Sequence, residues 1–381
     1  MKKRINRVNL VTCLVFFGIL LAMPIITAIL PKKTFSETEN KSLQTMPKIS
    51  AKTIYDRSYM NKLETYISDH FAGRTGWIKV KTNLENALGK YEQNGVYILD
   101  NRLVEKIPEP DYTSIDKTIN AVNTFAEVND VPVFFMLVPT SAEIYADEIP
   151  ENAPNLSQKE LIGYIYANLK SVNTIDVYGT MMSNREKYIY YRTDHHWTTK
   201  GAYYAYAAAG KKMGYVAEPE GAYDVEHAAS GFIGTFYSKV LYDGIEPDNM
   251  DYYHLVNGSN VQEVIITSEY GKEPVSYDSM YFREYLGVKD KYSSFLGTNQ
   301  PIVTIKTDSD GGKLLIFKDS YAHCYAPFLT ENYSEITLLD MRYIKMSYRE
   351  IVNVEDYDQV LFLYNASSFA SDTGLSQLAY S

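Results

Sequence analysis

Three runs of the chain are apolar almost without a break: Val131–Val138 (VPVFFMLV), Lys313–Phe317 (KLLIF) and Val360–Tyr364 (VLFLY). A strand with one wet face alternates polar and apolar residues, whereas a strand covered on both faces does not. These runs therefore predict central strands of a buried sheet. Helical periodicity covers Ser114–Val128, Gln158–Val172 and Thr199–Met213, the last with Thr199 as its expected N-cap. Thr174–Tyr178 and Glu335–Leu339 read as further strands, and a helix is expected from Tyr321 onward. Apolar strands alternating with helices predict an α/β fold with a mostly parallel sheet over residues 111–381. Within it, residues 215–310 are Tyr- and Gly-rich and less regular, and they read as an insertion that builds one wall of a cleft.

The N-terminal part has a different character. Val8 to Leu30 carries no charge, which matches the ~20 residues a helix needs to cross the hydrocarbon core. Lys2, Lys3, Arg4 and Arg7 outweigh Lys32 and Lys33 on the far flank, so residues 1–30 predict a cytoplasmic tip and a single-pass anchor, with the remainder outside. A cleaved signal peptide is the competing reading, but the run is too long for an ordinary signal core and lacks a clear Ala-x-Ala site. Residues 31–110 predict a stalk and wrapping segment. Residues 31–50 are polar with two prolines, and 51–93 are helical with a break at Asp69–Arg74. Asn94–Asn101 then reads as a strand entering a turn.

Composition excludes several classes. The 381 residues are 45% hydrophobic and 22% charged, as in a globular protein, with a formal net charge of -10. An acidic chain without a basic stripe lacks the clustered Lys and Arg that nucleic-acid backbones require. Only Cys13 and Cys324 are present, which rules out a disulfide scaffold and a Cys-based zinc site. The 35 tyrosines suit carbohydrate stacking, though Tyr is also a strand filler.

Two polar clusters fall where parallel sheets carry their sites, beyond the carboxyl ends of strands. In Tyr190–Thr199 (YYRTDHHWTT), Asp194 stands two residues ahead of His196. A carboxylate there can hold one ring nitrogen, fix the tautomer and raise the basicity of the other. The plain alternative is a capping Asp beside surface histidines. In Lys313–His323 (KLLIFKDSYAH), Ser320 follows a buried strand directly, as a nucleophile on a strand–turn–helix elbow does, although Gly-x-Ser-x-Gly is absent. The plain alternative is an N-cap serine. Together the clusters supply nucleophile, base and orienter. No metal is expected: there is no HExxH, and His70, His227, His254 and His323 form no ligand spacing with His195 and His196.

TDHHWT at 193–198 resembles the signature of the DHHW family, which is similar to the alginate O-acetyltransferase branch of the SGNH-hydrolase superfamily. FSETENKSL (35–43), DHFAGR (69–74), NGVYILDNRLVEK (94–106), FMLVPTSAEIY (135–145), GTFYSK (234–239), FKDSYAH (317–323) and VLFLYN (360–365) resemble its recurring blocks, in order. The resemblance implies a circularly permuted SGNH-like α/β/α fold with Ser320 as nucleophile, His196 as base and Asp194 as orienter. His195 takes the variable middle position. Lys318 stands where ordinary SGNH enzymes have Gly before Asp319-Ser320. Asn365, or else Thr140, is the expected second oxyanion donor. Trp197 either stacks on a sugar or packs under its loop, and Asp319, Tyr321 and His323 complete the candidate substrate-contacting set. The implied activity is O-acetylation of a cell-envelope polysaccharide through an acyl-serine, or esterase action by the same triad, without a cofactor. A polytopic membrane acyltransferase is the implied acyl source. A non-catalytic glycan-binding or scaffold protein is the alternative from another class.

Overall fold

The computed structural model describes residues 7–256, 258 and 260–380; the basic tip 1–6 lies outside them. The chain packs as two units, one formed by residues up to Asn94 with Tyr237–Asp243, the other by Gly95–Phe236 with residues from Gly244 on. In the first, α1 (Arg7–Ile29) contains Pro24 and is long and apolar enough to cross a membrane. Helices α2 (Ser58–Asp69) and α3 (Arg74–Ala87) meet at the expected break, where Gly73 takes the left-handed conformation with φ 70°. The extended arm is pinned to this corner by charge. Lys41 reaches Asp69 at 2.7 Å, and Arg74 pairs with Glu39 through Nε at 2.9 Å and a terminal nitrogen at 3.0 Å. The FSETENKSL and DHFAGR segments thus meet in space.

The second unit opens with a hairpin, Val96–Ile98 and Leu103–Glu105. Sequence pattern alone assigns it to the wrapping segment, but Leu103 N–H donates to the Arg192 carbonyl at 2.7 Å and so joins it to the second unit. The unit then forms α4 (Tyr112–Val128), β1 (Val133–Val138), α5 (Gln158–Asn168), β2 (Asn173–Ile175) and α6 (Thr199–Met213). An antiparallel ribbon follows, β3 (Tyr223–Phe232) and β4 (Asp248–Leu255). Next come β5 (Val261–Thr267), β6 (Val275–Tyr277), β7 (Ile302–Thr307), β8 (Gly312–Lys318), β9 (Tyr333–Leu339) and β10 (Gln359–Asn365). Eight of these strands make one sheet in the order β6-β5-β7-β9-β8-β10-β1-β2. The five from β9 to β2 are parallel, and β7, β5 and β6 extend the β9 edge antiparallel. Residues 215–310 are therefore more regular than expected, holding five strands among the described residues, three of them in the main sheet.

Both sheet faces are covered, as unbroken apolar strands require. Phe135, Phe317 and Phe362 face α4 and α5, while Met136, Ile316 and Leu361 pack toward α6. The register sets Phe317, Phe362 and Phe135 abreast on three adjacent strands. The Phe317 and Phe362 rings stack at 4.8 Å, and Phe125 of α4 meets Phe362 edge-on at 5.5 Å. Caps set the helix ends. Asp111 accepts the Thr113 and Ser114 amides, and Ser157 accepts that of Glu160. For α6 the cap is Thr198 rather than Thr199: its Oγ1 accepts the Gly201 amide at 3.2 Å, while the Thr199 hydroxyl donates to the Asp251 carbonyl. Helix α5 ends at Asn168, short of the expected Val172, because the chain turns extended at Leu169 and the Lys170 amide bonds Asn123. After Ser320 the helix is a single α-turn, Ala322–Tyr325, continued as 3-10.

Removing the central ring of the phenylalanine row leaves a cavity against three neighbours. Phe362→Ala is expected to cost about 3–5 kcal/mol, read as a lower urea midpoint with an unchanged slope.

Candidate active site

The loop carrying Asp194 to His196 is a tight hairpin tip closed by the Tyr190–Trp197 bridge. One fully buried carboxylate organises its entry. Asp248, at the start of β4, accepts the amides of Arg192 (2.7 Å) and Thr193 (2.9 Å) and the hydroxyls of Thr193 (2.5 Å) and Tyr188 (2.6 Å). Burial pushes its carboxyl above the ordinary value, against the pull of these donors.

Past that anchor, the Asp194 carboxylate turns back on the chain. Oδ1 accepts the His196 amide at 3.1 Å and stands 2.5 Å from His196 Nδ1; Oδ2 accepts the Thr235 amide at 2.7 Å. The carboxylate assigns the proton to Nδ1 and leaves Nε2 as an acceptor. Ser320 Oγ lies 2.7 Å from that Nε2, so the serine hydroxyl donates to the imidazole. Asp194 and His196 are buried and Ser320 is half-buried, which leaves only the hydroxyl end of the chain of groups open. Burial opposes the Asp194 charge, but His195, His196 and the Thr235 amide outweigh it and hold the carboxyl well below its usual range.

The imidazole is held between two rings. Tyr292 stacks on it at 3.6 Å and 8°, and His195 lies 3.8 Å away, tilted by 38°. The Tyr292 hydroxyl also donates to the Ser320 carbonyl at 3.0 Å, so one side chain fixes both partners. Nδ1 of His195 bonds Thr235 Oγ1 at 2.8 Å; burial, then its neighbour His196, lower its pKa to about 4 and keep it neutral. Gly234 has no room for a side chain, since a Cβ there would stand 2.3 Å from Asp194 Oδ2. Tyr292, Thr235, Gly234 and Asp248 carry no reading of their own in the sequence. The one signal touching them is the GTFYSK segment, which places Gly234 and Thr235 together.

Ser320 is set by the turn after β8. Asp319 is fully buried; Oδ1 accepts the Tyr321 amide at 2.8 Å, and Oδ2 accepts the Asn365 amide at 2.8 Å and its Nδ2 at 2.7 Å. Burial, the leading influence, raises the Asp319 pKa. Asp319 thus locks β8 to β10 and is not presented to substrate. Asn365 spends its remaining Nδ2 proton on Ser368 Oγ at 2.8 Å, and Thr140 gives both its amide and its hydroxyl to Gln158. Neither has a donor left for an oxyanion. The Ser320 amide donates to no protein acceptor among the described residues.

Three further candidates prove to be internal. Trp197 is fully buried, stacks near Tyr321 and Tyr325 and donates Nε1–H to the Tyr321 carbonyl at 3.1 Å, so it packs and does not meet a sugar. Tyr321, also fully buried, donates its hydroxyl to the His195 carbonyl at 2.7 Å. His323 sits under the serine turn, with Nδ1 donating to the Phe295 carbonyl and Nε2 2.7 Å from the buried Lys318 ammonium group. Lys318 also reaches Asn299 and Asp340, each at 3.3 Å.

Side-chain donors of Asp194, His195 and His196 fall within 4.8 Å of one another, close enough to suggest an ion. Asp194 Oδ1 and His196 Nδ1, 2.5 Å apart, do not share one in this geometry. Ligands about 2.1 Å from one zinc ion stand roughly 3 Å apart or more; the shorter spacing is that of a charge-assisted hydrogen bond.

A search of curated proteins returns no match. Among solved structures, a DHHW family protein from Eubacterium siraeum DSM 15702 is 27% identical, with a TM-score of 0.66 over 76% of this chain and 96% of that one. PatB1 of Bacillus cereus is 20% identical, with a TM-score of 0.64 over 74% of this chain and 99% of that one, and shares the fold. The O-acetyltransferase domain of Pseudomonas putida AlgJ is a more distant match, 13% identical with a TM-score of 0.47 over 75% of this chain and 99% of that one. The family model described as DHHW protein matches residues 92–339, more than half of the 381 residues, and the chain belongs to the DHHW family.

Proposed function

We propose that this DHHW protein is a membrane-anchored serine acyl transferase that O-acetylates a cell-envelope polysaccharide on the outer side of the membrane. The observation that carries the reading is the 2.7 Å contact of Ser320 Oγ with His196 Nε2, backed by Asp194 at 2.5 Å from Nδ1. In the first step His196 takes the hydroxyl proton as Ser320 Oγ attacks an acyl carbonyl. The Ser320 amide stabilises the developing oxyanion. Collapse of the tetrahedral intermediate expels the donor's leaving group, protonated by His196, and leaves acyl-Ser320. In the second step His196 deprotonates a glycan hydroxyl, which attacks the acyl-serine; the acyl group moves to the glycan and the proton returns to Oγ. Water in place of the glycan makes the same site an esterase.

By the family resemblance the acyl donor would be a polytopic membrane acyltransferase; α1 read as an anchor fits a reaction without cytoplasmic acyl carriers. The parallel strands β9-β8-β10-β1-β2 take the 2-1-3-4-5 order of doubly wound folds when β1 and β2 are counted after β10. That order supports a circularly permuted SGNH-like sheet.

A fluorophosphonate probe tests the nucleophile in the full chain. Covalent labelling is expected, with loss in Ser320→Ala and in His196→Ala while the thermal midpoint stays put; labelling that persists in Ser320→Ala would refute the assignment. Asp194→Asn is expected to slow labelling by roughly 10⁴-fold, since the amide favours the wrong tautomer. Gly234→Ala, whose Cβ drives the Asp194 carboxylate aside, should slow it by at least about 10²-fold. An unchanged rate in either variant would separate Asp194 from the chemistry.

Lys318 gives the folded site a pH signature. Its burial lowers the pKa from 10.5 to about 8. Below pH 8 the ammonium is charged in both states, and the fold carries the full desolvation cost. Between about 8 and 10.5 only the unfolded chain holds the proton, so stability rises with pH. Urea titrations across this window should show wild type gaining stability relative to Lys318→Met; parallel curves would contradict the shift.

A further inference from the structure

Helix α3 is turned inside out for a helix of a water-soluble unit. Trp77, Val80, Leu84 and Leu88 recur on one side at i, i+3, i+7 and i+11, and they are 54%, 61%, 59% and 78% exposed. The side facing inward carries Thr82, buried, with its hydroxyl on the Val240 carbonyl and near Gln93 Oε1. An amphipathic helix on a soluble protein buries its apolar stripe; this one buries the polar side and leaves the stripe uncovered.

The stripe is continuous with α1. Thr27, near the outer end of α1, accepts the Ala72 amide at 3.1 Å, and the Trp77 indole donates to the carbonyl of that same Ala72 at 3.2 Å. Trp77 therefore stands at the level where a membrane-spanning α1 leaves the hydrocarbon, the depth at which Trp concentrates in membrane proteins. Lys32 and Lys33 lie just past the end of α1, after Leu30 and Pro31, and exposed Lys81 borders the stripe, as at the surface of an anionic bilayer. From Trp77 to Leu88 the stripe runs about 16 Å along the helix, longer than the interfacial layer is thick, so all four side chains reach lipid only if α3 lies flat.

We propose that α3 is a second membrane contact, an interfacial helix lying along the outer face of the bilayer that α1 crosses, with Trp77, Val80, Leu84 and Leu88 immersed below the headgroups. The inference rests on reading α1 as an anchor. The two attachments hold the arm at the membrane surface.

Full-length protein in phosphatidylglycerol–phosphatidylethanolamine vesicles tests this. Trp197 is fully buried, so the difference between wild type and Trp77→Phe isolates Trp77 emission. Lipids brominated near the glycerol should quench that emission, and aqueous iodide should not. A polarity-sensitive dye on Leu88→Cys should be quenched by the same lipids. Iodide quenching of Trp77 overturns the proposal. A quenched Trp77 with a water-exposed Leu88 label overturns the flat orientation. Disulfide-linked dimers through Leu88→Cys overturn it in favour of a second copy. Vesicle flotation reads the anchor separately: failure to float overturns α1 as an anchor and the proposal with it, whereas flotation with a water-exposed Trp77 overturns the interfacial helix alone.

Discussion

The candidate site depends on a reciprocal clasp between two distant pieces of chain. Trp197 donates its indole proton to the Tyr321 carbonyl, and Tyr321 donates its hydroxyl proton to the His195 carbonyl. Trp197 adjoins His196 and Tyr321 adjoins Ser320 along the chain, so docking the two rings docks the histidine on the serine. Both are fully buried, which makes the clasp costly to open: each bond shields the other from water, and breaking one strands a buried polar group.

Around the clasp, buried carboxylates act as fixed points. Asp248 gathers the loop that enters the histidine pair, and Asp319 gathers the turn that leaves β8. Asp194 does the same while facing the imidazole. Each accepts three or more protons from backbone or side chain, the condition under which an acid can be buried at all. Tyr292 adds the lateral constraint, lying flat on His196 with its hydroxyl on the Ser320 carbonyl. The region between β4 and β8 thus supplies support as well as edge strands to the unit that carries Ser320.

Local patterns made much of the fold legible. VFFMLV, KLLIF and VLFLY announced strands covered twice because burial on both faces removes alternation. Strands β5 and β7 were harder to see, although VQEVIIT and IVTIKT alternate in part, because they sit in a stretch dominated by Tyr and Gly. The α6 cap could not be told apart from its neighbour by composition. Thr198 and Thr199 are chemically identical, and only the backbone angles assign one hydroxyl to the helix and the other to β4.

What the sequence by itself determined was short-range chemistry: a carboxylate two residues from an imidazole, a serine following a buried strand, an apolar helix long enough to span a membrane. Those features depend on spacing that the backbone enforces within a few residues. Only the tertiary structure decided which atoms remain available. It brings His196 to a serine 124 positions away, stacks Tyr292 on the ring, and consumes the donors of Asn365 and Thr140 on internal acceptors. The physical reason is that a donor proton serves one strong acceptor at a time. The partner that takes it is chosen by packing between remote segments, which no local pattern records.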